Sequence, residues 1–239
     1  MISVIIPTLN EEELLPRLLE ELTDDLRKRF RIEVIVSDGG SRDKTLKVAR
    51  QHKARIVKKY SWEKQTIGSA RNRGAWQARG DILVFIDADG YFQDSWYFFN
   101  HLKPIFKRQS VVACTVRIQV SPTERRISDW LWQYFINSLF YLENKLGMGL
   151  GRGNCQIVRA DYFRTVGGYK ENLVAGEDYD LFSRLKKYGG INFAWNLIVY
   201  ESPRRFRKHG YWYVFWLWFL NFFSVIFRGR AWSKKWKRV

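Results

Sequence analysis

Three short apolar runs, Ile2–Ile6, Glu33–Ser37 and Asp81–Ile86, each break off into a polar cluster, and helical patterns separate them. A chain that alternates buried strands with helices lays its strands mostly parallel, because each helix returns the chain to the same end of the sheet. Ligands in such sheets bind in the crevice beyond the carboxyl ends of the strands. Those ends carry Pro7-Thr8-Leu9-Asn10-Glu11, Ser37-Asp38-Gly39-Gly40-Ser41 and Asp87-Ala88-Asp89.

The pattern between the runs fills in a β-α-β-α-β order. A helix is expected from about Glu11 to Arg29, with Leu14, Leu15, Leu18, Leu19 and Leu22 on one face, then one from Lys44 to His52. Ala54–Lys58 offers a further strand and Lys64–Arg79 a further helix. Past residue 110 the pattern predicts a strand near Val111–Val120 and an aromatic helix near Glu124–Leu146. A glycine-rich turn at Gly147–Gly153 and a helix near Glu177–Tyr188 follow. A chain of 239 residues can bury one substantial α/β core with a small C-terminal appendage. We divide it into a catalytic unit, 1–203, and a C-terminal segment, 204–239. Cys114 and Cys155 have neither metal-cluster spacing nor disulfide density, and read as reduced, partly buried thiols.

Asp87 and Asp89, two apart at the end of a buried strand, can share a hard divalent cation, Mn2+ or Mg2+, with substrate phosphates. The alternative is a pair of solvated carboxylates. At Asp38-Gly39-Gly40-Ser41 the glycines admit close approach of a ligand to the backbone, and the Asp38 carboxylate can accept from a nucleobase edge. An ordinary strand-to-helix turn fits the same residues. Arg71 lies on an expected helix, placed to contact a nucleotide or a neighbouring carboxylate, or to lie on a solvated face. Glu177 and Asp178 open a helix, where the helix dipole favours acids whatever their role. As chemistry, such a carboxylate can serve as general base toward an acceptor hydroxyl.

The ordered series Val4-Ile5-Ile6-Pro7-Thr8-Leu9-Asn10-Glu11, Asp38-Gly39-Gly40-Ser41, Ala70-Arg71-Asn72, Asp87-Ala88-Asp89, Gly167-Gly168-Tyr169 and Glu177-Asp178 resembles the family 2 glycosyltransferases of GT-A fold. The likeness covers roughly residues 2 to 200. It implies a Rossmann-like α/β domain, mostly parallel in its central sheet, that takes a nucleoside-diphosphate sugar and inverts the anomeric carbon. By position, it implies that Pro7, Thr8, Asn10 and Glu11 line a nucleoside pocket, Asp38 with Gly39 faces the base, and Asp87 lies near the ribose or sugar. Asp89 would ligate the metal and Asp178 act as base, with Glu177 at the acceptor border. Gly151, Arg152, Gly153 and Asn154 would shape the donor-sugar and acceptor side. A late histidine or arginine completes the metal and diphosphate site in some relatives, which nominates His209, Arg204 and Arg205.

The formal charge of +17 draws the chain toward something anionic. From Arg204 to Val239 there are ten Lys/Arg and no Asp or Glu, framing the aromatic run Tyr211–Phe227. Cation plus apolar aromatic is a membrane-surface composition. As a helix the run is about 26 Å long against a hydrocarbon core of about 30 Å. We expect an amphipathic helix lying in the interface in preference to a span or a core helix. The flanks Arg207, Lys208, Arg228, Arg230, Lys234 and Lys235 are all basic. No basic leader precedes Ile2–Ile6, so the expected location is the cytoplasmic face of the cell membrane, peripheral or monotopic. The expected acceptor is a hydroxyl on a lipid-linked or membrane-proximal molecule, with polyprenyl phosphate the alternative. Binding to nucleic acid through the basic tail is the rival from another class. It is disfavoured because the cations frame the aromatic run and do not alternate with it.

Overall fold

In a computed structural model, residues 1–63 and 65–233 are described. Lys64, Lys234, Lys235 and the rest of 234–239 lie outside them. The chain opens with β1 (Ile2–Thr8), α1 (Leu15–Glu21), α2 (Asp24–Phe30), β2 (Ile32–Asp38), α3 (Thr45–Gln51), β3 (Arg55–Lys58), α4 (Ile67–Trp76) and β4 (Ile82–Ile86). The second half runs β5 (Tyr91–Phe92), α5 (Ser95–Lys107), β6 (Val111–Gln119), α6 (Ile127–Lys145), β7 (Cys155–Arg159) and α7 (Ala160–Thr165). It ends with α8 (Glu177–Leu185), β8 (Gly190–Tyr200), α9 (Arg204–His209) and α10 (Tyr211–Arg228).

The single helix expected over Glu11–Arg29 is two. Thr23 caps α2 by accepting from the Leu26 N–H, and Asp24 and Asp25 occupy its first turn. A cap of that kind stabilises a new helix start by about 1 kcal/mol, enough to end α1 at Leu22 and turn the chain. Leu15, Leu18, Leu19, Leu22, Leu26 and Phe30 still reach one core cluster, because the break preserves the buried face.

One sheet of eight strands has the order β3-β2-β1-β4-β7-β6-β8-β5. β1 pairs parallel with β2 and β4, and β2 with β3, as the alternating pattern requires. β6 and β8 are also parallel, whereas β7 runs antiparallel to both β4 and β6, and β5 antiparallel to β8. The chain winds outward from β1 to β3, then crosses back to place β4 on the other side of β1. The strand order therefore reverses between β1 and β4, and the crevice opens at their carboxyl ends.

Two core clusters cover the two faces of this sheet, one with α1, α2 and α5 and the other with α4, α7 and α8. A third, Trp132, Ile136, Phe140, Leu150, Phe206 and Val214, joins α6 to α9 and α10. Cys114 and Cys155 are free thiols, fully buried in the first cluster.

Candidate active site

The crevice at the β1/β4 switch is a cleft of about 490 Å3. Pro7 and Thr8 line it from the end of β1, Asn10 and Glu11 from the loop that follows, and Asp87 and Asp89 from beyond β4. Arg71 comes from α4, Arg152, Gly153 and Asn154 from the loop before β7, Glu177 and Asp178 from the start of α8, and Arg204 and Arg205 from α9. The structure thus gathers most of the residues nominated from sequence, across an interval of about two hundred residues.

Arg71 organises the floor. Its guanidinium, 1% exposed, donates to Glu177 Oε1 at 2.9 Å, Asp87 Oδ1 at 2.8 Å and the Gly153 carbonyl at 2.7 Å. Of the readings open from sequence, contact with neighbouring carboxylates is the one observed; a solvated face is not. Burial works against its charge, yet Asp87, Tyr169 and Glu177 together raise its pKa above the ordinary value. Arg71 thus ties three segments together, and the next residue of α4 holds a fourth. Asn72 donates to the Tyr169 carbonyl at 2.9 Å and accepts from the Tyr169 N–H at 2.8 Å, a reciprocal pair that docks Gly167-Gly168-Tyr169 on the helix. Gly168 has φ +68°, and a Cβ there would come within 2.5 Å of Asn72 Oδ1, so glycine is required.

At the acidic rim, Arg204 donates to Asp89 Oδ2 at 3.2 Å and lies 4.0 Å from Glu11 Oε2. Burial and the adjacent Asp87 raise the Asp89 pKa, while Arg204 and Arg205 pull it down. Burial depresses the Arg205 pKa, opposed by Asp89, Glu201 and Asp87. Among the described residues no cluster of three or more His, Cys, Asp or Glu could hold a metal by itself. Asp87 and Asp89 nonetheless fit a hard dication that takes its remaining oxygens from a diphosphate and water, the mode in which Mg2+ is usually held. Such a cation would offset both the burial and the Asp87 charge that lift Asp89. His209 does not join them: it is the last residue of α9, opposite the end that presents Arg204 and Arg205, and its ring lies 5.6 Å from that of Tyr213.

Asp38 and Gly39 are not among the residues lining the cleft. The Asp38 carboxylate accepts from Gly40 N at 2.9 Å, Ser41 N at 3.0 Å, Ser41 Oγ at 2.5 Å and Thr8 Oγ1 at 3.3 Å, so it closes its own loop. The Gln65 side chain lies against Gly39 and itself lines the cleft.

Asp178 is strongly perturbed. Burial first, then the charge of Glu177, push its pKa up to about 8, against a smaller lowering by Arg71.

Several cleft residues had no motif to announce them. Glu201 accepts from Gln133, from Asn154 at 2.7 Å and from Arg152 at 3.4 Å; Arg152 in turn donates to Gln133 at 3.0 Å and Asn137 at 3.1 Å. This buried network joins α6 to the cleft. Its sequence signal was available, since Glu201 is the last acidic residue before an all-basic tail. Phe140, Tyr179, Trp218 and Asn221 also line the cleft, and periodicity alone marks them only as buried helix positions.

The sheet order, with carboxylates at its switch point, defines the GT-A class of fold. Residues 3–167 match the family described as Glycosyl transferase family 2, and the chain belongs to that family. It resembles a mannosyltransferase from Pyrobaculum calidifontis solved with GDP-Man and Mn2+, with TM-score 0.67 and 20% identity over 84% of this chain and 56% of that one. A glucosyl-3-phosphoglycerate synthase from Mycobacterium tuberculosis, solved with Mn2+, UDP and phosphoglyceric acid, gives TM-score 0.60 and 20% identity over 95% and 77%. In sequence, 104 residues are 38% identical to the dolichyl-phosphate beta-glucosyltransferase of Mus musculus, 37% of this chain and 31% of that protein. Another 39% identity over 90 residues links it to validoxylamine A glucosyltransferase of Streptomyces hygroscopicus subsp. limoneus, 36% of this chain and 20% of that protein. The matched segments span less than a third of these two relatives.

Proposed function

We propose that the protein is an inverting glycosyltransferase that moves a sugar from a nucleoside-diphosphate donor to a hydroxyl acceptor at a membrane surface. The observation that carries this reading is the arrangement around Arg71: one buried guanidinium holds Asp87 on the donor side and Glu177, next to Asp178, on the other. The nucleoside would lie along Pro7, Thr8, Asn10 and Glu11, with Asp38 and Gly39 behind the Gln65 side chain. Asp178 would take the proton of the acceptor hydroxyl as its oxygen bonds to the anomeric carbon. The bond from that carbon to the diphosphate would break on the opposite side, and Arg204 and Arg205 would face the negative charge that leaves. A divalent cation, Mn2+ or Mg2+, held by Asp89 with Asp87, would supply further neutralisation of the diphosphate. Neighbours solved with Mn2+ and with UDP or GDP-Man support this choice of cofactor and donor class.

Division into a catalytic unit, 1–203, and a membrane-associating segment, 204–239, belongs to the same reading, on the cytoplasmic face and in peripheral or monotopic form. Among the described residues no helix is long and apolar enough to cross a membrane. α10 instead buries Val214, Asn221, Ser224 and Val225 and exposes Trp212, Trp216, Ile226 and Phe227. Arg228 and Arg230 at its end suit an anionic lipid surface better than the stacked bases of a nucleic acid. The test is calorimetric titration of a panel of nucleoside diphosphates and their sugars, with and without Mn2+, on the wild type and on Asp89→Ala. Metal-dependent binding of one nucleotide, lost in the variant, is expected; no binding to any member of the panel would refute the proposal.

A further inference from the structure

α10 has two faces with different neighbours. Its outer face is exposed and aromatic, as described, while its inner face reaches the cleft. Trp218 and Asn221 line the cleft, Phe222 meets the Tyr179 ring edge-on at 5.1 Å, and Val225 lies on Gly176. A Cβ at Gly176, which sits at φ +76°, would approach Val225 Cγ2 to 3.0 Å. Gly176 is the N-cap residue of the helix that carries Asp178, and Tyr179 follows Asp178 directly. α10 therefore packs on Gly176 and Tyr179, the residues that flank the Glu177-Asp178 pair in the chain.

Phe140, Tyr179 and Trp218 line the cleft together with Asn221, and the rings of Phe140 and Tyr179 stack at 6.3 Å. The Asn221 amide is already engaged: its nitrogen donates to the Leu217 carbonyl at 2.7 Å and Ser233 Oγ at 2.9 Å, and its oxygen accepts from Ser233 N at 3.0 Å. An apolar stem would find aromatic rings here, in the residue next to Asp178 and across from it on α10.

We infer that α10 forms one wall of an acceptor subsite, and that this subsite takes an amphiphile from the bilayer whose apolar stem lies against Phe140, Tyr179 and Trp218 while its hydroxyl reaches Asp178. The inference rests on the glycosyltransferase reading above. The continuity of the helix supports it, since one element borders the cleft and carries the aromatic surface with its cationic end.

Photocrosslinking tests it on the full chain. Trp218→p-benzoylphenylalanine and, on the outer face, Trp216→p-benzoylphenylalanine are irradiated on vesicles of phosphatidylcholine and phosphatidylglycerol doped with tritiated dodecyl β-D-glucoside. The expected result is that position 216 labels mainly phospholipid, whereas position 218 incorporates the glucoside several-fold in preference. Label at 216 with none at 218 overturns the subsite while leaving membrane contact intact; label at neither overturns both. If the substitution at 218 unfolds the chain, Phe140→p-benzoylphenylalanine, on α6 and also lining the cleft, is held to the same criterion. Nucleotide binding by the same preparations separates the two levels: its absence removes the glycosyltransferase reading, and its presence leaves the crosslink to decide the subsite.

Discussion

Arg71 donates to Asp87 at 2.8 Å from a position that water barely reaches. Because the same guanidinium also holds Glu177 and the Gly153 carbonyl, its removal would leave two carboxylates uncompensated in a low-dielectric floor. Breaking a buried pair by deleting one partner costs about 3–5 kcal/mol. Arg71→Met should therefore lower the unfolding free energy by that order in chemical denaturation. Arg71→Lys should recover only part of it, because an ammonium lacks the planar fork that reaches three acceptors.

Asp178 titrates near neutrality, with its pKa raised to about 8 by burial and by Glu177. A base acts in its ionised form, so transfer should rise with pH through about 8 and then level off. Asp178→Asn should remove that limb and lower kcat by roughly two to four orders of magnitude with nucleotide binding retained. Stability depends on pH in the opposite sense. The folded state holds this proton more tightly than the unfolded chain, so the contribution is present at low pH and lost as pH climbs from the ordinary carboxyl range through about 8. Asp178→Asn should accordingly raise Tm relative to wild type more at pH 9 than at pH 6. Near-normal turnover by the variant would instead favour an acceptor already ionised, such as a polyprenyl phosphate.

Gly168 has φ +68° and faces the Asn72 side chain with no room for a Cβ. Gly168→Ala should cost about 1–3 kcal/mol through backbone strain, with further loss from displacing Asn72. If the α4 docking of this turn also positions Arg71, thermal stability and nucleotide affinity should fall together. A variant with unchanged Tm would show that the turn relaxes freely.

Trp212, Trp216 and Phe227 are exposed along α10, whose last turn carries Arg228. Replacing all three by serine should weaken sedimentation with both neutral and anionic vesicles. Arg228→Glu with Arg230→Glu should weaken only the anionic case, by about 1 kcal/mol for each basic residue lost and more for the reversal, and the difference should shrink at high salt. Equal losses on both vesicle types would argue that these arginines serve a purpose other than surface charge.

The chain order of apolar runs by itself determined that β1, β2, β3 and β4 lie parallel and that Thr8, Asp38 and Asp87 come to one end of the sheet, because strand alternation and crossover handedness leave little freedom. It also marked Tyr211–Phe227 as a helix with an aromatic surface, since composition and length suffice for that. Periodicity could not show that β7 enters antiparallel beside β4, because a short buried strand has no directional signature. Nor could it show the break at Thr23, where a local cap outweighs a continuous leucine face. Only tertiary packing decided that Asp38 spends its carboxylate on its own loop, that His209 is not among the residues lining the cleft, and that Glu201 and Arg152 meet. These outcomes depend on which way a side chain turns once neighbours from distant segments compete for its hydrogen bonds, and sequence spacing carries no record of that competition.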